Sequence, residues 1–467
     1  MSAPPKAAKI SSISSNHGIT REDDYAWLRA DNWQEVMRDP DVLPADIKAY
    51  LDQENAYCKH VMTDTSALQD TLFEEMKGRI KQDDSSVPSP DGPYAYYVSY
   101  VEGGQHPRYC RCLRDGGEER VLIDGDTLAE NNSFFQLGGI AHSPDHQLLA
   151  YSTDTKGAEF YTIYFSNTDT GDLLDETIED TTGGITWAQD NKTVFYTRVD
   201  ENHRPSRVFR HVIGTPATSD VLVYEESDPG FFVGVGKSQS GRFIMISAHD
   251  HETSEIHLID AFQPDSKPRL VEARVAGIEY DIDDQDDRFL ILTNADKAED
   301  FKIMTAPLSD PAKSSWRELV PHKPGRLILS IACFRDHFVR LEREDGLPRI
   351  IISKSPDGDE HAIDFDEEAY SLGIAGGYEY DTSTLRFSYS SMTTPGQVFD
   401  YDVISRERDL RKTQEVPSGH EPDDYVTRRI YATAEDGESV PVTLLYRKST
   451  TLDGSAPLLL YGYGAYG

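Results

Sequence analysis

Between residues 82 and 412 the chain repeats itself, and the repeat constrains the fold more than any other feature. Each unit carries a polar turn, a run of four to six strand-forming residues, a second polar loop and another strand. The turns fall at Asp91, Asp145, Asp190, Ser240, Asp286, Asp336 and Thr382, at intervals of 54, 45, 50, 46, 50 and 46 residues. That is the spacing of four-stranded propeller blades, about 40 to 50 residues each. One blade cannot bury both faces of its small sheet, whereas a closed ring packs every sheet between two neighbours. A β-sandwich with an appended β-domain is the competing architecture, and the regular interval disfavours it. The expectation is a mainly β chain built on a seven-bladed β-propeller at residues 81–412.

The flanks differ in character. Residues 20 to 80 read as helical. In one stretch Ile47, Tyr50, Leu51, Tyr57, Cys58 and Val61 recur at helical spacing, and in the next Leu68, Leu72, Phe73, Met76 and Ile80 do so behind a Thr or Ser cap. Residues 1–80 are thus expected to form an N-terminal helical arm. After the repeats comes a linker, "TQEVPSGHEPDD", then two β-runs flanking Asp436-Gly437, a hairpin signal. The final stretch is "PLLLYGYGAYG". Its Leu458 to Tyr461 reads as a strand buried on both faces, as in a parallel sheet. Residues 413–467 therefore read as a linker and the first strands of a further sheet.

Composition narrows the function classes. Asp and Glu number 82 against 46 Lys and Arg, a formal net charge of -36. Such a surface repels nucleic acid and attracts cationic ligands; solubility or adaptation to salt would also account for it. No stretch approaches the ~20 apolar residues that span a bilayer. The N-terminus has no apolar signal core. Cys58, Cys110, Cys112 and Cys333 form neither a CxxC pair nor a disulfide framework, which points to a reducing, cytoplasmic compartment.

Familiar catalytic and cofactor motifs are missing. No GxSxG nucleophile elbow occurs, and the nearest stretch, "GKSQSG", has the wrong spacing and lies in a blade turn. There is no Walker A loop and no HExxH. His249, His251 and His257 near Glu252 and Glu255 fall on a loop entering a strand and do not make a convincing metal set. "DIDDQDDRF" opens like a calcium loop but has Asp286 where glycine is needed and Leu292 where glutamate is needed. The expectation is no cofactor and no metal.

Several stretches resemble the prolyl oligopeptidase family of serine peptidases, and within it the oligopeptidase B branch. They are "REDDYAWLRADNW", "YLDQENAYCKHVM", "ENHRPSRVFRHVIGT", "SDVLVYEESDPGFFVGVGKSQSGRF", "HETSEIHLID" and the terminal "PLLLYGYGAYG". The resemblance runs from residue 17 onward. It implies an α/β-hydrolase domain made from an N-terminal arm and a C-terminal segment, with the propeller inserted between them as a size filter. It implies an endopeptidase that cuts short peptides after Lys or Arg by a serine triad. The triad and the acidic residues for the basic side chain would all lie beyond residue 467. The hydrolase domain would be incomplete here, and this chain inactive alone. The resemblance also gives Tyr463 an oxyanion-hole role, a phenol donor worth about 3 kcal/mol at a developing oxyanion. The rival class is a stand-alone propeller that binds a protein partner without catalysis. Such a module has no use for the arm or for "YGYGAYG". Oligomeric state is left open.

Overall fold

The computed structural model describes residues 3–354 and 358–463. Seven four-stranded antiparallel sheets follow one another along the chain, each built from consecutive strands. They occupy residues 89–124, 136–181, 186–225, 232–270, 280–320, 326–362 and 371–413, here blades 1 to 7. The chain is a seven-bladed β-propeller with a few helices.

Burial grades outward across each blade. The second strands are sandwiched between neighbouring blades, so both of their faces are covered. Leu148–Asp154 is buried at nearly every position, as is Arg288–Thr293. Such strands read as unbroken apolar runs. The outermost strands face solvent, and Arg408–Thr413 is almost wholly exposed. First strands surround the central channel, where Asp91, His142, Thr186 and Lys237 line a shared cavity.

Apolar clusters fill six of the seven seams. Tyr96, Tyr109 and Leu149 join blades 1 and 2, and Phe165, Ile178 and Trp187 join blades 2 and 3. Phe195 meets Ile244 between blades 3 and 4, and Leu258 meets Phe289 between blades 4 and 5. Ile303 meets Phe338 in the next seam, and Ile352 meets Phe387 in the sixth. Between blades 7 and 1 no such cluster forms among the described residues. Polar links close that seam. Arg386 donates to the carbonyls of Val87 (3.2 Å) and Pro88 (2.9 Å), and Lys412 pairs with Asp84 at 2.7 Å. Two cavities of about 550 and 390 Å³ sit there as well.

The arm holds two main helices, Ala45–Val61 and Ser66–Lys77. It does not begin as a helix: Ser12–Asn16 and Ile19–Asp23 pair as a hairpin, around a turn with His17 and Gly18 at positive φ. Helical spacing is uninformative in a stretch this short and polar, and Ile10 and Ile13, three apart, show no strand alternation either. At the other end Tyr425–Thr433 pairs with Ser439–Arg447 around Gly437. The expected strand at Leu458 is not formed. Leu458 to Tyr463 is irregular and Leu459 is 89% exposed. A strand needs a ladder partner, and no described strand pairs with it. Residues 464–467 lie outside the described part.

The arm and the C-terminal hairpin dock on one face of the ring. Arg38 of the arm stacks over Phe160 at 3.8 Å and pairs with Asp180. Arg429 of the hairpin donates to the Asp345 carbonyl. Phe160 and Asp345 both lie between the second and third strands of their blades. In a four-stranded meander those turns share a face, opposite the turns that join first to second strands.

Candidate functional site

The face opposite the arm carries the chain's most elaborate side-chain arrangement. It is organised by the segment Gly376–Asp381, which joins the first and second strands of blade 7. Blades 3 and 4 stand farthest from blade 7 in a ring of seven, yet Gln239 of blade 4 donates through Nε2 to the Gly376 carbonyl at 3.0 Å. The segment therefore crosses the channel mouth. Tyr380 Oη accepts from the Asp286 amide of blade 5 at 2.9 Å, and the Tyr380 carbonyl accepts from the Arg335 amide of blade 6 at 3.1 Å. Glu379 pairs with Arg114 of blade 1. The Tyr378 hydroxyl lies 3.3 Å from that of Tyr109, and its ring centroid lies 5.1 Å from His142 of blade 2. Five other blades hold this one connection.

Glycine is required at its start. A Cβ on Gly376 would stand 2.7 Å from Gln239 Oε1, and Gly377 has φ +67. Both positions permit a backbone path that side chains would block or strain.

Beneath the crossing segment lies a cavity of about 470 Å³ lined by Asp91, His142, Gln189, Lys237, Gln239 and Tyr378. The first strands crowd around charged groups here, although Lys237 and Asp281 keep contact with solvent. Burial pulls the Lys237 ammonium below its ordinary range, with Asp91 opposing the shift. Burial, then the neighbouring Asp284 carboxylate, pushes Asp283 up to about 7, although its carboxylate accepts from the Gln239 amide at 3.1 Å. Asp281 is raised by burial as well. Among the described residues, no serine, threonine or cysteine here is hydrogen-bonded to a histidine; the Ser240 hydroxyl donates to the Asp284 carboxylate at 2.7 Å.

The residue singled out from sequence lies elsewhere. Tyr463 sits in the irregular C-terminal stretch, 73% exposed. No described residue is brought to it as a catalytic partner. His249, His251 and His257 are not gathered into one set: His257 rests on Tyr224 and faces Glu255, while His249 pairs with Phe232. Sequence reading passed over the crossing segment and the Asp91, His142 and His146 group. The doubled glycine in "IAGGYEYDT" was the available signal for the first. For the second there was none, since Asp91 and His142 belong to different blades.

Comparison with known proteins agrees with this architecture. Residues 4–414 match the family model described as prolyl oligopeptidase, N-terminal beta-propeller domain. The chain is 37% identical to dipeptidyl aminopeptidase BI of Pseudoxanthomonas mexicana, over 99% of this chain and 65% of that protein. It is 33% identical to protease 2 of Moraxella lacunata, over 99% of this chain and 66% of that protein. Among solved structures, oligopeptidase B of Trypanosoma brucei with covalently bound antipain superposes with a TM-score of 0.90 at 32% identity, covering 99% of this chain and 68% of that one. Oligopeptidase B of Leishmania major gives 0.89 at 29% identity, covering 97% and 66%. The chain thus spans about two thirds of the length of these relatives. With its blades, its arm and its hairpin all matched from end to end, this chain belongs to the prolyl oligopeptidase family.

Proposed function

We propose that this chain is the propeller-bearing part of an oligopeptidase B-like serine endopeptidase that cleaves short peptides after Lys or Arg. The propeller acts as a size filter, and the chain by itself does not hydrolyse peptides. The observation that carries the reading is the covered channel. One end of the ring is bridged by Gly376–Asp381, while the arm and hairpin dock on the opposite face. A catalytic domain resting on the arm and hairpin would be shielded on its propeller side from anything too large to pass. The apolar stripe of the arm supports this. Leu68, Leu72, Phe73 and Met76 lie exposed along one helix and suit a covering domain. The net charge of -36 favours capture of basic peptides. Four free cysteines suit a reducing compartment, which we take to be the cytoplasm. In this reading residues 1–80 and 413–467 contribute to the hydrolase and 81–412 form the filter. Tyr463 then donates to the oxyanion.

The test compares this chain with a protein that extends it to the length of its relatives. Both are assayed on N-blocked and N-free chromogenic substrates ending in Arg or Lys. The expected result is turnover by the longer protein on the blocked substrate and none by this chain. Release of product from N-free substrates alone would replace the endopeptidase reading by a dipeptidyl one. Turnover by this chain alone, blocked by a serine-directed reagent, would overturn the proposal. If the longer protein has no peptidase activity, the binding-module reading takes its place.

A further inference from the structure

Where blade 1 meets blade 2, two chain segments distant in sequence converge on one point. Asp91 ends the first strand of blade 1, and His142 ends the first strand of blade 2. His146 follows in the next turn, in the left-handed region at φ +61, with its amide donating to the Ser143 carbonyl at 2.8 Å. That backbone turns the His146 ring toward blade 1. Gly92 makes room for it, since a Cβ there would stand 3.0 Å from His146 Nε2.

The three side chains each place one donor atom within 4.8 Å of the other two. His142 Nε2 lies 2.7 Å from Asp91 Oδ2, and the His142 side chain is only 6% exposed. The rings are fixed by their neighbours. Tyr96 stacks on His142 at 3.9 Å with 4° between planes, and its hydroxyl lies 2.9 Å from His146 Nδ1. His142 and His146 stack at 5.2 Å.

We propose that Asp91, His142 and His146 bind a divalent transition-metal ion of the zinc class, bridging blades 1 and 2 under the channel cover. Two imidazoles and one carboxylate are the donor set such ions prefer over calcium or magnesium. The Tyr96 hydroxyl beside His146 Nδ1 can accept the Nδ1 proton, which leaves Nε2 to the ion, the arrangement usual behind a ligating histidine. His142 Nδ1 makes no hydrogen bond, so its proton is free to occupy either nitrogen when a cation takes the other. The nearby Arg111 directs its donors to Asp169 (2.7 Å) and to the His146 carbonyl (3.0 Å). Asp91 and His142 line the 470 Å³ cavity, which gives the ion an entry and leaves its fourth position to water. The site owes nothing to the peptidase reading, and its test does not use peptidase activity.

The chain, stripped with a chelator, is titrated with Co²⁺ while visible d–d absorption is recorded, and the bound ion is then displaced with Zn²⁺. One Co²⁺ per chain is expected, with bands of ligand-field origin, displaced by one equivalent of Zn²⁺. His142→Ala and His146→Gln should abolish the bands, and Asp91→Asn should weaken binding about tenfold or more. Zn²⁺ should raise the thermal midpoint of the wild-type chain and not that of the variants. Should His142→Ala fail to fold by circular dichroism, the near-isosteric Asp91→Asn and His146→Gln decide. Absence of d–d bands at millimolar Co²⁺ would overturn the proposal. So would bands that persist unchanged in Asp91→Asn and His146→Gln, because exposed histidines would then be binding the ion.

Discussion

At the scale of single residues, the buried titratable groups predict how stability varies with pH. His337 is buried, stacks on Phe334 at 4.6 Å and leaves its Nε2 without a hydrogen bond. Burial pulls its imidazole down to about 4. The unfolded chain takes up this proton near pH 6.5 and the folded chain only near 4. The stability tied to neutral His337 is therefore present above 6.5 and lost as pH falls through 4, to the extent of roughly 3 kcal/mol. Urea unfolding of His337→Gln should show a shallower loss between pH 7 and pH 4 than the wild type; equal slopes would refute it. Asp283 works in the opposite sense. Its folded value of about 7 lies above the ordinary 3.8, so its neutral form stabilises at low pH and that contribution is lost as pH rises through 7. Asp283→Asn should gain stability over the wild type at pH 8, by a few kcal/mol at most, and the gap should close by pH 4. In the core, Ile246 is fully buried between blades 3 and 4. Ile246→Ala should cost about 2 to 5 kcal/mol in the same measurement. None of these environments was legible in the sequence, because a histidine in "RDHFV" gives no sign of what covers it. Tyr463 shows the converse: its residue type and setting were plain in "YGYGAYG", but its surroundings depend on sheet neighbours that no described residue supplies. In a protein of the relatives' full length, Tyr463→Phe should lower kcat about 100- to 1000-fold with little change in KM. An unaltered kcat would remove Tyr463 from the oxyanion role.

At the scale of elements, the crossing segment Gly376–Asp381 differs most from what its sequence suggested. The repeat placed an ordinary blade turn at Thr382. The turn exists, but six residues before it leave blade 7 to meet five other blades. Local pattern could not reveal this, since the partners come from Tyr109, Arg114, His142, Gln239, Asp286 and Arg335. Gln239→Ala removes the bond to the Gly376 carbonyl, worth about 1 kcal/mol. Amides of residues 377–381 should then exchange roughly fivefold faster, with the blade strands unchanged. Uniform protection would mean that Gln239 does not hold the segment. The blade strands themselves were readable, because sandwiched sheets demand apolar runs and tight turns that composition alone displays. The C-terminal hairpin was readable for another reason, the Asp436-Gly437 turn between two β-runs. The arm's first hairpin was not: its ten paired residues are all exposed and carry no hydrophobic contrast.

At the scale of the whole molecule, one seam differs from the other six. Between blades 7 and 1 the packing is replaced by Arg386, Lys412 and Arg114 reaching across to Val87, Asp84 and Glu379. The two ion pairs among them, Lys412–Asp84 and Arg114–Glu379, are partly exposed, and such pairs are weak and screened by salt. Hydrogen exchange should thus be fastest, among first strands, at Ser89–Asp91 and Ser371–Ala375, and should quicken there in high salt. Protection equal to that of Phe232–Lys237 would contradict a weak seam. The six intervals disclosed the ring, but no interval could tell which junction would lack an apolar filling. The same seam bears on how the ring is made. As the chain is synthesised, each new blade finds its partner already beside it, some 50 residues back. Only the last joint is remote: Arg386 must meet the Val87 carbonyl across 299 positions. For a flexible loop that closure costs on the order of 5 kcal/mol, reduced to whatever degree six finished seams already hold the arc in shape. Assembly therefore waits for its seventh blade, and then closes on ion pairs. A circular permutant opened between blades 3 and 4, its old ends joined beside Asp84 and Lys412, would close instead on Phe195 and Ile244. Its final step would then be driven by dehydration of those side chains and would be indifferent to salt.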